Sequence, residues 1–90
     1  MRFQIKHEIR GRIRIHAIQK RMTFAQADML QYYLLGFDFI RMVKIQERTC
    51  DITIEFQGDR EEVIQVLRHF AYERVQVPED YIKNSGREMN

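Results

Sequence analysis

The chain has 90 residues, 44% of them hydrophobic, which is enough for one compact domain with a small core. The net charge of +2 excludes a strongly basic or acidic protein, yet residues 1–22 hold seven Lys/Arg against one acid and residues 23–90 hold eight against twelve. A single cysteine excludes an intrachain disulfide, and no run approaches the roughly 20 apolar residues of a membrane-spanning helix, so we expect a soluble, cytoplasmic domain.

The first predicted element is a strand over residues 3–17. Its odd positions are mostly apolar and its even positions are polar, which is typical of a strand with one buried and one exposed face. Because this is long for one strand, Gly11 should mark a bulge or bend. A hairpin that turns at Arg10-Gly11 is the alternative.

A helix over residues 24–35 follows. Thr23 and Gln26 have the spacing of a capping box, and Gly36 ends the run. The apolar residues that recur at helical spacing, and that we expect on the buried side, are Phe24, Ala27, Leu30 and Leu34.

Two more strands should pair as a hairpin around a turn near Arg48-Thr49. The second strand is indicated by Ile40, Val43 and Ile45, and the third by Ile52, Ile54 and Phe56. Asp59, as a cap, begins a second helix whose buried side is Val63, Val66, Leu67 and Phe70. Val75 and Val77 predict a short last strand that Pro78 ends.

This order, βαββαβ, predicts an α+β, ferredoxin-like domain over residues 1–77. Its four-stranded antiparallel sheet carries both helices on one face. Residues 78–90 lose the apolar periodicity and are interpreted as a polar tail or the start of a linker.

The exposed side of the first strand is strongly basic. Arg10, Arg12 and Arg14, with Lys6 nearby, have only Glu8 as an opposite charge in the same segment. A one-sided sheet needs polar residues on its open face, and arginine suits that position. Neighbouring like charges without an opposite charge also repel one another, so the more specific hypothesis is that this face binds an acidic partner. We expect an acidic protein surface or an anionic membrane surface; the sequence leaves the oligomeric state open.

Nucleic acid is a weaker candidate for this face. RNA-binding ferredoxin-like sheets stack bases on exposed aromatic side chains, and the exposed positions of the first strand contain none. Binding of single-stranded RNA therefore remains a lesser alternative.

The histidines and the cysteine are weak metal candidates, and we predict no metal site and no cofactor. Along one extended strand, His7 and His16 would lie about 30 Å apart and point to opposite faces, with His7 on the buried side. His69 should be exposed. Cys50 lies two and four residues before Ile52 and Ile54, whose side chains we expect on the buried face, so we predict that Cys50 is a small buried side chain. Since no catalytic arrangement appears in the sequence, we expect no enzymatic activity from this chain alone.

The element order and three sequence stretches resemble the heavy-metal-associated domains that precede the membrane region of metal-transporting P-type ATPases. The stretches are KHEIRGRIRIH, QERTCDITIEF and GDREEVIQVL. The Gly-Arg-Ile-Arg element is similar to the arginine-rich amino termini of ATPases associated with ferrosomes, bacterial iron-storage bodies. The resemblance implies a regulatory or docking domain beside a pump that moves a metal such as iron, with other domains of that ATPase as further possible partners.

One departure from this family is chemically decisive. Members that bind copper or zinc carry a Cys-x-x-Cys pair between the first strand and the first helix, because two thiolates suit such ions. Here that loop is IQKRMTF, residues 18–24, in which Lys20 and Arg21 would repel a cation and Met22 offers one thioether. We therefore do not expect this chain to have the metal-carrying role of those family members. The alternative, from another functional class, is a soluble metal carrier that binds the ion through Cys50 and a histidine.

Overall fold

Strands rich in isoleucine form one antiparallel sheet in this computed structural model, which describes residues 1–84. The order across the sheet is β1-β2-β4-β3. The strands are β1 (Phe3–Ile9), β2 (Arg12–Ala17), β3 (Ile40–Gln46) and β4 (Asp51–Phe56). The helices are α1 (Phe24–Leu35), α2 (Arg60–His69) and a short α3 (Glu79–Asn84), with a single 3-10 turn at Tyr72–Arg74.

The core lies between one face of the sheet and the helices α1 and α2. Ile13 and Ile15 of β2 face Ile54 and Ile52 of β4 in register, and all four are fully buried. The helical side chains in the same core are Ala27, Leu30 and Leu34 of α1 and Val63, Ile64 and Leu67 of α2. The predicted fold class, an α+β ferredoxin-like sheet with helices on one face, is confirmed.

Both predicted helix starts are confirmed. The Thr23 hydroxyl accepts a hydrogen bond from the Gln26 backbone N–H at 3.0 Å, and the Gln26 side chain accepts one from the Thr23 N–H at 3.1 Å. The Asp59 carboxylate accepts one from the Glu61 N–H at 3.0 Å. Phe24 was expected to be buried, but it is 48% exposed because it occupies the first position of α1 at the edge of the core.

The amino-terminal segment is a hairpin rather than one strand. Gly11, at φ 80°, adopts the left-handed backbone that a tight turn requires, and β1 pairs with β2 in antiparallel register. The continuous strand over residues 3–17 was wrong, and the hairpin alternative is what forms. β1 therefore occupies a sheet edge.

The predicted last strand was also wrong. Val75 and Val77 lie outside any strand, directly after the 3-10 turn. The edge beside β2 is already filled by β1, so no position next to β2 remains for a strand from the carboxyl-terminal side.

A bulge in β1 changes which side chains face the core. The register shifts between Ile5 and His7, so Lys6 is an extra residue without its own partner on β2. Beyond the bulge, His7 pairs with Arg14 and Ile9 with Arg12, on the side of the sheet opposite the helices. The predicted burial of His7 is therefore wrong: it is exposed.

A short helix lies within the predicted tail. The Tyr81 hydroxyl of α3 donates a hydrogen bond to the Gln31 side chain at 3.0 Å, and its ring lies 5.2 Å from that of Tyr32. Glu79–Asn84 is thus placed against α1. The boundary at residue 77 stays a prediction, and residues 85–90 of the predicted tail lie outside the described part.

Candidate functional site

The candidate site is the open face, defined as the sheet side chains that point away from α1 and α2. Three cross-strand rows compose it, each running in the order β1, β2, β4, β3. The rows are Gln4, His16, Asp51 and Gln46; His7, Arg14, Thr53 and Lys44; and Ile9, Arg12, Glu55 and Met42.

Three exposed cations lie on this face, two on the central strand β2 and one on the edge strand β3. Arg12 and Arg14 are two residues apart on β2, so their backbones are separated by about 7 Å. Lys44 lies in the row of Arg14, two strands away, at about 10 Å. Among residues 1–84, none of the three forms an ion pair within 4.0 Å.

The structure separates the four basic residues that the sequence grouped together. Arg12 and Arg14 share the open face, Arg10 lies in the turn before Gly11, and Lys6 lies in the bulge of the edge strand β1. Sequence reasoning missed Lys44. Its position between buried Val43 and Ile45 could have placed it on the same face, once β3 and β4 were paired in register.

His16 and Asp51 form the one histidine–carboxylate pair of the described residues. The His16 Nδ1 lies 3.1 Å from the Asp51 Oδ1, and both side chains are partly shielded from solvent. Partial burial alone would raise the pKa of Asp51. Hydrogen bonds from Thr49 and His16, with the nearby charges of His16 and Arg14, outweigh it and lower the pKa below its ordinary 3.8. Asp51 is thus an anion embedded beside the cations.

The two histidines are much closer than predicted. The hairpin places His7 and His16 on adjacent strands of the same face, as diagonal neighbours, positions that are typically about 7–8 Å apart. The expected 30 Å separation and opposite faces were therefore wrong. Within residues 1–84, no group of three or more His, Cys, Asp or Glu side chains has the arrangement to hold a metal ion.

Cys50 lies on the core side of the sheet, as predicted, and is 1% exposed. Its Sγ is 3.7 Å from the Gln19 carbonyl oxygen in the loop that leads to α1. Burial, reinforced by the Asp51 charge, raises the pKa of the thiol. Met22 of that loop is also buried, so its thioether is part of the core. Cys50 and the two histidines face opposite sides of the sheet and cannot share an ion.

The side chains of the open face limit what it can bind. On β2, β4 and β3 its nine members include no Phe, Tyr or Trp ring on which a base could stack, and the one imidazole, that of His16, lies against Asp51. The face is a broad surface of mixed charge with Arg14 in its central row, which suits contact with another macromolecule.

Comparisons of the chain with protein-family models, with curated proteins and with solved structures find no match. Within the described residues, no helix combines the length and the hydropathy that crossing a bilayer requires.

Proposed function

We propose that this chain is a non-catalytic docking domain whose open face binds an acidic surface of a partner protein. The observation that carries the proposal is the position of Arg12 and Arg14. They lie exposed on a central strand, in a face that neither α1 nor α2 covers, and within residues 1–84 neither forms an ion pair closer than 4.0 Å with a carboxylate.

Electrostatics explains why such a face favours an acidic partner. Arg14 has His7 and Thr53 as its cross-strand neighbours, and Lys44 completes the row, so the row contains cations and no anion. Each exposed ion pair with a partner contributes only about 0–1 kcal/mol. Several together raise the association rate and select against basic surfaces.

The acids on the same face favour a protein over a membrane. Glu55 lies opposite Arg12, and Asp51 lies beside Arg14 in the next row. A bilayer rich in anionic lipid attracts basic residues by about 1 kcal/mol each but repels both carboxylates. A folded partner can place acidic side chains opposite the cations. It can also place hydrogen-bond donors or basic side chains opposite Glu55 and Asp51, so that every charge of the open face has a complement.

The resemblance of residues 6–16 to P-type ATPase domains supports a further proposal about parentage. We propose that the chain is the cytoplasmic, regulatory amino-terminal domain of a metal-transporting P-type ATPase, with iron as the cargo. The acidic surface would then belong to another domain of that pump. The loop of residues 18–24 has no thiolate, so the chain's role is contact rather than delivery of metal. The complete reading frame tests this: transmembrane helices and an Asp-Lys-Thr-Gly motif downstream of Asn90 would support it, and their absence would refute it.

Site-specific photo-crosslinking in cells tests the docking surface. A benzoylphenylalanine in place of Gln46 reports on the open face, and one in place of Gln65, exposed on α2, is the matched control. We expect a protein adduct from position 46 that Arg12→Gln with Arg14→Gln removes. Adducts equal at both positions, or crosslinks to lipid instead of protein, would contradict the proposal.

A further inference from the structure

We propose that the free edge of β1 and the groove beside it form a second binding surface, which takes an extended acidic segment of a partner as an added strand. This surface is separate from the open face and is independent of the docking proposal. It combines backbone groups that have no strand partner within residues 1–84, a partly exposed apolar floor and a cationic rim.

The ladder geometry identifies which backbone groups of β1 are free. The Ile18 N–H donates to the Arg2 carbonyl at 2.9 Å, and the Ala17 N–H donates away from β1, to the Cys50 carbonyl, also at 2.9 Å. Because antiparallel pairing alternates, Phe3 and Ile5 are the positions whose N–H and C=O groups point outward from β2. An incoming strand can pair with them without disturbing the sheet.

Contacts at both ends hold β1 against α2, and the groove lies between them. At one end the Met1 ammonium donates hydrogen bonds to the carbonyl oxygens of Leu67, Arg68 and Phe70, at 3.3, 3.1 and 2.7 Å. At the other end the Arg60 guanidinium donates to the Glu8 carboxylate. The groove has a volume of about 590 Å³.

The floor of this groove is apolar, and two of its side chains are exposed. Phe3, Ile5, Ile18 and Ile64 line it, and Ile5 is 41% and Ile18 50% exposed. In an added strand, alternate side chains point to opposite faces, so one set can enter the groove and cover these residues.

The charges around the groove favour an acidic occupant. Arg2 and Arg68 line it and Lys6 lies on the same edge, all exposed and without an ion pair among residues 1–84. The carboxylates nearby, Glu8 and Glu61, are both held by Arg60. A second copy of this chain, paired edge to edge, would bring the same cations together and is disfavoured. The carboxylates of an acidic strand would instead be attracted to these cations.

The test uses the full chain and an end-blocked octapeptide that alternates aspartate or glutamate with valine, followed by NMR amide exchange. We expect the Phe3 and Ile5 amides to exchange at least about tenfold more slowly with the peptide bound, because both gain acceptors. The same peptide with lysine in place of the acids should not bind. Unchanged exchange at millimolar acidic peptide overturns the inference.

Two sets of variants locate the binding. Ile5→Pro removes an outward N–H that β2 does not use, so it should abolish peptide binding while the fold is kept. If this variant does not fold, the amide-exchange measurement on the unaltered chain tests the inference instead. Arg2→Gln with Arg68→Gln should weaken binding about fivefold at low salt, and Arg21→Gln with Arg48→Gln should leave it unchanged.

Two outcomes would separate this inference from the docking proposal. Peptide binding that is lost with Arg12→Gln and Arg14→Gln, but kept with Ile5→Pro, overturns the added strand and leaves the open face as the binding surface. A dimer in sedimentation that Ile5→Pro dissociates would also overturn it, since the occupant would then be a second copy.

Discussion

The imidazole of His16 on β2 lies 3.1 Å from the carboxylate of Asp51 on β4, directly across the strand pair. Thr49 and Arg14 also act on this carboxylate. The pair therefore fixes one end of the open face and places a held anion next to its cations. It links the stability of the sheet to the charge of the proposed docking surface.

We expect Asp51→Asn to lower the free energy of unfolding by about 1 kcal/mol at pH 7. The pKa of Asp51 in the folded chain is below 3.8, so its stabilising effect is complete above the pKa of the unfolded carboxyl group and is lost as the pH falls through the folded pKa. Urea unfolding at a series of pH values measures this. The two proteins should become equally stable at the acidic end of the series.

His16→Gln provides the control for this pH dependence. Without the imidazole, Asp51 loses one of the groups that lower its pKa, so the cost of Asp51→Asn should shrink in the His16→Gln background. A cost of Asp51→Asn that stays constant down to the lowest pH would show that the charge of the carboxylate does not stabilise the fold.

The hairpin predicts opposite tolerances for two substitutions at Gly11. Ala in the left-handed conformation costs about 1–2 kcal/mol, whereas Asn tolerates that conformation well. An added Cβ would lie 3.5 Å from the Phe56 carbonyl oxygen, an ordinary contact, so the cost comes from the backbone alone. We expect Gly11→Ala to destabilise the chain clearly more than Gly11→Asn does, measured by thermal unfolding. In a continuous strand both residues would be tolerated, and Gly11→Ala would be neutral or stabilising.

We expect Cys50 to react slowly with iodoacetamide in the native state. The thiol is buried and burial raises its pKa, so both access and thiolate formation are suppressed. The rate should rise steeply through the urea unfolding transition, because alkylation then follows the population of opened molecules. Native alkylation as fast as that of the unfolded chain would contradict the burial of this side chain.

The local elements of this fold were accessible from sequence because their signals are local. The capping pair Thr23 and Gln26 and the alternation around Ile52 and Ile54 each depend on a few neighbouring residues. The amino-terminal hairpin was not, because the alternation of polar and apolar residues runs unbroken through Gly11. The two-residue turn shifts the assignment of residues to faces by one position, since Ile9 lies opposite Arg12, and the bulge at Lys6 shifts it back. The two shifts cancel, so Phe3, Ile5 and Ile13 keep the odd-numbered pattern that one continuous strand would give.

Only some residues of the candidate site could be predicted from the sequence, because the others depend on how the strands pair. Arg12 and Arg14 follow from alternation within one strand, but Lys44 joins them only through the pairing of three strands. The bulge at Lys6 reverses the alternation, so His7 could not be assigned to its face from the sequence. Register is a tertiary property, and alternation alone does not encode it.

Among single substitutions on the basic segment, Arg14→Gln should weaken partner binding more than Arg10→Gln does. Arg14 lies in the row of Lys44 on a central strand, whereas Arg10 lies in the turn at the margin of the face. Binding of the partner captured from position 46, measured by surface plasmon resonance at low salt, gives the comparison. Equal losses from both substitutions would mean that only the total charge of the segment matters.

The most direct measurement of the docking claim is the affinity of Arg12→Gln with Arg14→Gln for that partner, as a function of salt concentration. Arg21→Gln with Arg48→Gln, which removes the same charge away from the open face, is the matched control, and circular dichroism verifies that both variants are folded. We predict that the open-face variant binds about tenfold more weakly at low salt and with a shallower salt dependence, while the control binds like the unaltered chain. Unchanged affinity and unchanged salt dependence in the folded open-face variant would contradict the claim that these arginines dock the partner.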